Sequence, residues 1–393
     1  AITTDAVTDR LADRAHPQAL AAARALAEHH RFFHWPLEFP EVFAEGGFDV
    51  VLSNPPYGGI KETRFHRYSP MRGTGNLFAH FLSRAIDLLA PGGAMGFVVP
   101  LSLACGETFE PARRKLYQNF GLLLASHYSI RPAKLFPGVE QRITLVRALY
   151  RGQQPCQIYS TRLHRWHYGE EHKVIANAEF GFVGTLREGL IPKVAGKIGA
   201  SIYGKIRSQP HKLREWLANE HENGEEVYYH SVARYWIKAY NFIPFFQRQG
   251  EEPGVSTNLK ALTLGDRKAA LRFLCLLNSS LFYYWWLAHS DEFHVLKSEI
   301  VSFGVPGETA PWPSDDQLEV LVNNLMESYK ANAVRRSRRV RGGGTVLRDE
   351  FRPRHSLREI YAIDDAIAPL YSLTREELEF LKTYDLEFRT DEE

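Results

Sequence analysis

The most informative stretch of this chain is Phe48-Asp49-Val50-Val51-Leu52-Ser53-Asn54-Pro55-Pro56-Tyr57. Its first half is apolar and β-branched, which predicts a buried strand, and the two prolines predict that a stiff loop begins where the strand ends. In open α/β sheets the ligand site lies just beyond the carboxyl ends of the strands. The loop therefore brings an amide side chain (Asn54), a proline-fixed carbonyl (Pro55) and an aromatic ring (Tyr57) to the expected ligand site.

These three groups suit chemistry on an exocyclic amine such as the N6 amine of adenine, whose lone pair is delocalised into the ring. The side-chain oxygen of Asn54 and the backbone oxygen of Pro55 can accept its two N–H bonds, which would free the lone pair. Tyr57 can stack on the base once the base has left the duplex. The alternative is an Asn-Pro-Pro-Tyr turn that has no chemical role.

The sequence resembles the N6-adenine DNA methyltransferases, whose motif IV reads Asn/Asp-Pro-Pro-Tyr/Phe/Trp. Asn54, Pro55, Pro56 and Tyr57 match that motif residue by residue, and the resemblance implies that they are catalytic. The flanking sequence is similar to the large bacterial methylases of restriction–modification and phage-defence systems. That similarity extends over residues 34–43, 76–78, 131–139 and 363–377.

The resemblance also implies a cofactor and its contacts. The methyl donor of the family is S-adenosylmethionine, and Asn76, Leu77 and Phe78 resemble the start of motif V, where apolar side chains pack against the donor adenine. Phe136 resembles the aromatic residue that stacks on the extruded base from the face opposite Tyr57. Ordinary helix packing is the alternative for Leu77 and Phe78, and a buried turn is the alternative for Phe136.

The Gly-rich donor-binding turn that the family places upstream of motif IV is not found before Phe48. We therefore expect the chain alone to be inactive and to represent the C-terminal part of a methyltransferase. Its donor-binding strands would come from a missing N-terminal region or from another chain. The alternatives are a non-catalytic DNA-binding or assembly subunit, and a methyltransferase that acts on protein glutamine.

The predicted fold class is α/β. We expect the second half of a doubly wound, Rossmann-like methyltransferase sheet, then a mixed α+β target-recognition domain and a C-terminal helical segment. The predicted domains are a helical segment (1–45), the catalytic part (46–152), the recognition domain (153–335) and a basic loop with C-terminal helices (336–393). Predicted helices cover 5–31, 76–89, 109–120, 271–287, 316–334 and 356–382, and predicted strands cover 48–53, 94–100, 121–129 and 142–150.

The composition is that of an ordinary globular protein. The chain has 393 residues, 44% hydrophobic and 24% charged, with a net charge of +2. No apolar run approaches the roughly 18–20 residues of a transmembrane helix, which predicts no membrane association. Cys105, Cys156 and Cys275 lack metal-ligand spacing and suggest reduced thiols of a cytoplasmic protein. His29, His30 and His34 have no carboxylate or cysteine to complete a metal site, so no metal is predicted.

Positive charge is concentrated near the C-terminus. Five arginines lie within seven residues, at Arg335, Arg336, Arg338, Arg339 and Arg341, and glycines follow them. Such a cluster can follow the phosphates of a nucleic acid, so we predict that these residues bind double-stranded DNA. A solvated mobile loop is the alternative.

Overall fold

The computed structural model describes residues 17–31, 33–60, 69–150, 152, 155–219, 224–233, 235–339 and 344–390. The strands, numbered along the chain, are β1 (Phe48–Ser53), β2 (Leu89–Pro100), β3 (Leu122–Tyr128), β4 (Ile143–Leu149), β5 (Cys156–His164), β6 (Gly181–Leu186), β7 (His211–Lys212), β8 (Glu225–His230), β9 (Ala239–Tyr240), β10 (Phe246–Arg248), β11 (Leu259–Leu264), β12 (Gly304–Val305), β13 (Val334–Arg339) and β14 (Thr345–Glu350).

The α-helices, numbered in the same way, are α1 (Pro17–His30), α2 (Trp35–Glu38), α3 (Pro40–Ala44), α4 (Leu77–Leu88), α5 (Ser102–Cys105), α6 (Glu110–Asn119), α7 (Glu171–Ala176), α8 (Gly196–Arg207), α9 (Arg267–Leu277), α10 (Ser280–His289), α11 (Lys297–Val301), α12 (Asp315–Ala331), α13 (Leu357–Ile367), α14 (Arg375–Thr383) and α15 (Leu386–Thr390). None of the described helices is long and apolar enough to cross a bilayer.

A six-stranded mixed sheet forms the first half of this α/β fold, with the spatial order β1-β2-β4-β3-β5-β6. β1 is parallel to β2, β4 lies antiparallel between β2 and β3, and β5 is parallel to β3. The strands predicted at 48–53, 94–100, 121–129 and 142–150 are therefore confirmed, but the burial predicted for 48–53 was wrong, because no residue of β1 is buried. So are the helices predicted at 76–89 and 109–120, which correspond to α4 and α6.

The two faces of the sheet differ. On one face Met95, Val99 and Leu123 are buried in the same core as the apolar residues of α4 and α6. On the other face Val50 is 56% exposed and Leu52 is 77% exposed, and none of the described residues covers them. β1 is also an edge strand, because β2 is its sole partner among the described strands. The sheet thus has an open apolar face and an open edge at the strand that leads into the motif.

The second half of the chain combines helices with two three-stranded sheets, ordered β11-β8-β9 and β10-β14-β13. Two predictions here were wrong. The helix expected over 271–287 is divided into α9 and α10, because the side chain of Asn278 bonds to the backbone of Ala239 and Ser279 caps α10. The basic loop expected from residue 336 is a strand up to Arg339, because β13 pairs with β14 along its whole length.

The C-terminal helices pack into the same hydrophobic core as the sheet. Asp364 of α13 is buried, and its Oδ1 accepts a hydrogen bond of 2.8 Å from the backbone N–H of Ser280, in the first turn of α10. Burial raises the pKa of this carboxyl from 3.8 to about 6. The folded protein therefore binds a proton at Asp364 more tightly than the unfolded chain does.

We predict that Asp364 makes the protein less stable as the pH rises. Its stabilising contribution is full below the unfolded pKa of 3.8 and is lost as the pH rises through about 6. Asp364→Asn keeps an oxygen acceptor without the charge. Relative to wild type it should gain up to about 3 kcal/mol in free energy of unfolding between pH 4 and pH 7. Urea titrations at several pH values measure this difference, and parallel pH profiles for the two proteins would contradict it.

Candidate active site and basic groove

The predicted catalytic loop lies at the carboxyl end of β1. Asn54 is exposed, Pro55 is buried, Pro56 is exposed and Tyr57 is half-buried. The Tyr57 hydroxyl lies 2.8 Å from Asn54 Oδ1 and 3.0 Å from the carbonyl oxygen of Val98 on β2, and can donate to either. Burial raises the pKa of Tyr57, so the hydroxyl keeps its proton at neutral pH. Tyr57 therefore connects the amide of Asn54 to the neighbouring strand.

Asn76 has a structural role that the sequence did not reveal. Its Oδ1 accepts from the backbone N–H of Phe78 and caps α4, while its Nδ2 donates to the carbonyl oxygen of Tyr57 at 3.2 Å. The backbone N–H of Leu77 also donates to Gly58. One side chain thus fixes both the start of α4 and the end of the catalytic loop.

The three predicted donor contacts differ in exposure. Asn76 and Leu77 are half-buried beside the catalytic loop, whereas Phe78 is fully buried and its ring centroid lies 4.8 Å from that of Phe109. This burial favours core packing for Phe78. Contact of Asn76, Leu77 and Phe78 with a methyl donor stays a prediction.

Phe136 lies in the connection between β3 and β4 and is 36% exposed. Its neighbour Leu135 and the ring of Tyr57 pack against the same apolar cluster. That cluster consists of Tyr128, Ala133, Ile143 and Trp166. The structure therefore brings the segment that carries Phe136 to the same cluster as Tyr57. Stacking of both rings on one base stays a prediction.

An open groove of about 640 Å³ adjoins the catalytic loop on the uncovered face of the sheet. Apolar side chains dominate its lining, including Leu52, Val98, Leu124, Leu145 and Phe180, and Asn54 lies at its border. Sheets that contain parallel strands usually have both faces covered by helices. This face is therefore a surface where further polypeptide can pack.

The predicted DNA-binding arginines lie on β13, except Arg341, which is outside the described residues. The strand alternates its side chains between two faces. Arg335 bonds to Asp349 at 2.8 Å, and its guanidinium lies 3.8 Å from the ring centroid of Phe245. Arg336 and Arg338 lie on the opposite face of the strand from Arg335. The Nε atom of Arg336 is 3.4 Å from Oε2 of Glu350. Direct contact of these arginines with DNA stays a prediction.

Arg338 lines a basic groove, of which the sequence indicated only the arginines of β13. Two adjoining cavities of about 740 and 890 Å³ share Asn258, Arg338 and Arg348. Their other basic lining residues are His230, Lys238, Arg248, His294, Arg339, Arg352, Arg354 and Arg389, and their aromatic lining residues are Tyr235, Trp236, Phe246, Phe293 and Phe351. Glu251 and Glu350 are the acidic ones. We call this surface the basic groove.

The sequence did not indicate that Lys238, Arg248 and Trp236 belong to this groove, because they lie about 90 residues before the arginine cluster. The pairing of β10 with β14 brings Arg248 beside that cluster, and no local pattern indicates this contact. Among the described residues, no three histidine, cysteine, aspartate or glutamate side chains are grouped so that they could hold a metal ion.

Comparison with known proteins finds similarity over part of the chain. Residues 6–135 match the model of the Eco57I restriction-modification methylases. A Methanocaldococcus jannaschii protein provisionally named as a type II restriction enzyme and methyltransferase is 32% identical over 92 residues, which cover 23% of this chain and 8% of that protein. The type II methyltransferase M.BsuBI of Bacillus subtilis is 33% identical over 72 residues, which cover 18% of this chain and 14% of that protein.

The matched segments thus span a small share of both relatives. Together with the family match, they support a restriction–modification methylase in the part of the chain that contains residues 54–57. Among solved structures, the type IIL restriction-modification enzyme MmeI in complex with DNA aligns with a TM-score of 0.40 and 12% identity, over 86% of this chain and 57% of that one. The M protein of the type I restriction enzyme EcoKI aligns with a TM-score of 0.26 and 17% identity, over 34% and 30%. TM-scores this low do not indicate a shared function.

Proposed function

We propose that this chain is part of a site-specific DNA methyltransferase that transfers a methyl group from S-adenosylmethionine to the N6 amine of adenine, in a restriction–modification or phage-defence system. The observation that carries the proposal is the position of Asn54-Pro55-Pro56-Tyr57 at the carboxyl end of β1, beside the end of β2. The strand order supports assigning the sheet to the second half of a doubly wound methyltransferase fold.

The chemistry follows from the acceptors that the loop offers. Asn54 Oδ1 is exposed and receives one hydrogen bond from Tyr57, and an amide oxygen has a second lone pair for a substrate N–H. With the Pro55 carbonyl as the second acceptor, the amine becomes more nucleophilic as it becomes tetrahedral. Tyr57 and Phe136 would hold the extruded adenine. The donor would supply the methyl group, and Asn76 and Leu77, which are hydrogen-bonded to the loop, would contact it.

The polar turn that holds the methionine part of the donor would come from additional polypeptide. The open edge of β1 and the apolar groove around Leu52 support this proposal, because an exposed apolar edge strand is a site for pairing with another strand. We propose that the donor-binding strands pair with β1 and that their helices cover Val98, Leu124 and Leu145. These strands belong either to this protein or to a second chain.

Double-stranded DNA is the proposed partner of the basic groove. Arginines and lysines can neutralise phosphates, and aromatic side chains can contact sugars or unstacked bases. The same groove favours DNA over a protein glutamine as substrate, because a glutamine side chain requires no extended basic surface. A non-catalytic subunit would keep the groove but would not need Asn54 exposed at the strand end.

We predict that Asn54→Ala abolishes methylation in the complete enzyme while duplex binding is kept. The amide acts on the amine in the transition state and not on the phosphates, so kcat should fall by at least about a hundredfold. Asn54→Asp is the matched control, since it keeps an oxygen acceptor and fits the motif. Labelled methyl transfer and a filter-binding Kd measure the two effects. Normal turnover by Asn54→Ala would exclude the assignment.

A second prediction is that this chain alone neither binds S-adenosylmethionine tightly nor methylates DNA. Catalysis requires both reactants to be positioned together, and a loosely held donor loses most of that advantage. Calorimetric titration of the donor into the purified chain provides the test. The expected result is no measurable heat of binding. A well-defined stoichiometric affinity would show that the donor pocket is complete in this chain.

A third prediction distinguishes Arg338, which lines the basic groove, from Arg335, which does not line it. Arg338→Ala should weaken duplex binding and lower the slope of log Kd against log salt by about one, as expected for a single lost phosphate contact. Arg335→Ala removes the same charge from a side chain paired with Asp349, so it should change the slope less. Fluorescence anisotropy of a labelled duplex at several salt concentrations measures both. Equal slopes for the two variants would argue against binding in the basic groove.

A further inference from the structure

A buried carboxylate joins the catalytic sheet to the second half of the chain. Glu292 is 5% exposed and lies between α10 and α11. The hydroxyl of Ser129 lies 2.8 and 2.7 Å from its two carboxylate oxygens. Arg142 Nε donates to Glu292 Oε2 at 2.6 Å, and Arg165 Nε donates to Oε1 at 2.8 Å. Three side chains from the sheet region thus converge on one acid.

Two of those contacts lie at the two ends of the segment that carries Phe136. Ser129 follows β3, and its hydroxyl also accepts a hydrogen bond from the backbone N–H of Arg131. Arg142 precedes β4, and its carbonyl oxygen accepts from the N–H of Leu101 at the end of β2. Residues 129–142 therefore form a loop whose entry and exit are both held by Glu292. We call it the Phe136 loop.

The neighbours of Glu292 in the chain form part of the basic groove. Phe293 and His294 line it. The carbonyl oxygen of Phe293 accepts from the N–H of Ala233, and the N–H of Val295 donates to Ser231, so this segment is hydrogen-bonded to another groove wall. The Phe136 loop and the basic groove are thus joined through one residue.

The backbone at Glu292 adds a second, independent observation. Its φ is 70°, in the left-handed region that favours glycine. A bulky residue keeps this conformation where the surroundings hold it in place, and such residues are frequent at functional sites. Here the bent backbone aims the carboxylate at the sheet while the next residue continues into the groove wall. Glycine would relieve the strain but would remove the only carboxylate that Arg142 and Ser129 are described as sharing, while Arg165 would keep its contact with Asp385.

We propose that Glu292 is a positioning residue that couples DNA in the basic groove to the placement of the Phe136 loop beside Asn54. The inference rests on the proposed function, because it assumes that the loop meets an extruded adenine. DNA that presses on Phe293 and His294 shifts the backbone of Glu292, and the carboxylate transmits this shift to both ends of the loop. Without the acid, the groove still binds DNA, but the two ends of the loop lose their link to the groove wall.

The test compares Glu292→Gln with wild type in the complete enzyme, on a duplex that contains the adenine methylated by wild type. We expect an unchanged duplex Kd and a fall in single-turnover rate of about tenfold to a hundredfold, the size expected for a reactive group misplaced by about 1 Å. Placing the target adenine opposite an abasic site makes its extrusion easier, and this should restore much of the rate. A residue that served stability alone would give no such rescue.

Glu299→Gln is the matched control, since Glu299 is also buried but bonds to the start of its own helix α11 through Leu296. Ser129→Ala removes one hydrogen bond to the same carboxylate and serves if Glu292→Gln fails to fold. It should show a smaller rate loss with the same rescue. The coupling is refuted if Glu292→Gln methylates DNA at the same single-turnover rate as Glu299→Gln. It is also refuted if the abasic site opposite the adenine does not restore the rate. Ser129→Ala is judged by the same two results where it replaces Glu292→Gln. Failure of wild type to methylate DNA would instead refute the proposed function.

Discussion

The parallel pairing of β1 with β2 determines where the candidate site lies. It brings the carboxyl ends of two strands side by side, so that the chain leaves β1 at Asn54 next to Val98. The Tyr57 hydroxyl spans the two strands, and Asn76 holds the loop from the other side through the Tyr57 carbonyl. The position of the candidate site therefore follows from strand pairing, and its side chains are fixed by a few hydrogen bonds.

The same sheet supports the proposal that further polypeptide packs beside the motif. A covered face buries Met95 and Val99, whereas the edge strand and the other face leave Leu52 exposed beside Asn54. Burial of such apolar surface is favourable at roughly 25 cal/mol per Å². The surface next to the motif is thus suited to receive more polypeptide, and in the proposed enzyme that polypeptide brings the methyl donor to the loop.

The six-stranded sheet was largely predictable from sequence, because its signals are local. The apolar, β-branched run Phe48–Ser53 leads into a proline-rich loop, and the segment of α4 shows helical spacing up to Leu88, where the helix ends. The basic groove and the Glu292 contacts were not predictable, since Glu292 and Ser129 are 163 residues apart. The division between α9 and α10 depends on a tertiary contact of Asn278, which periodicity does not reveal. Local sequence patterns therefore predict the strand and loop of the motif, whereas contacts between distant residues determine what surrounds it.

The identity of the methylated product tests the central claim most directly. The complete enzyme would be incubated with labelled S-adenosylmethionine, duplex DNA and protein, and the products would be digested and separated by mass spectrometry. We expect the label in N6-methyldeoxyadenosine, since the acceptors of the loop match an exocyclic amine that has left the duplex. Label in a methylated cytosine or in a protein glutamine, with none in adenine, would contradict it.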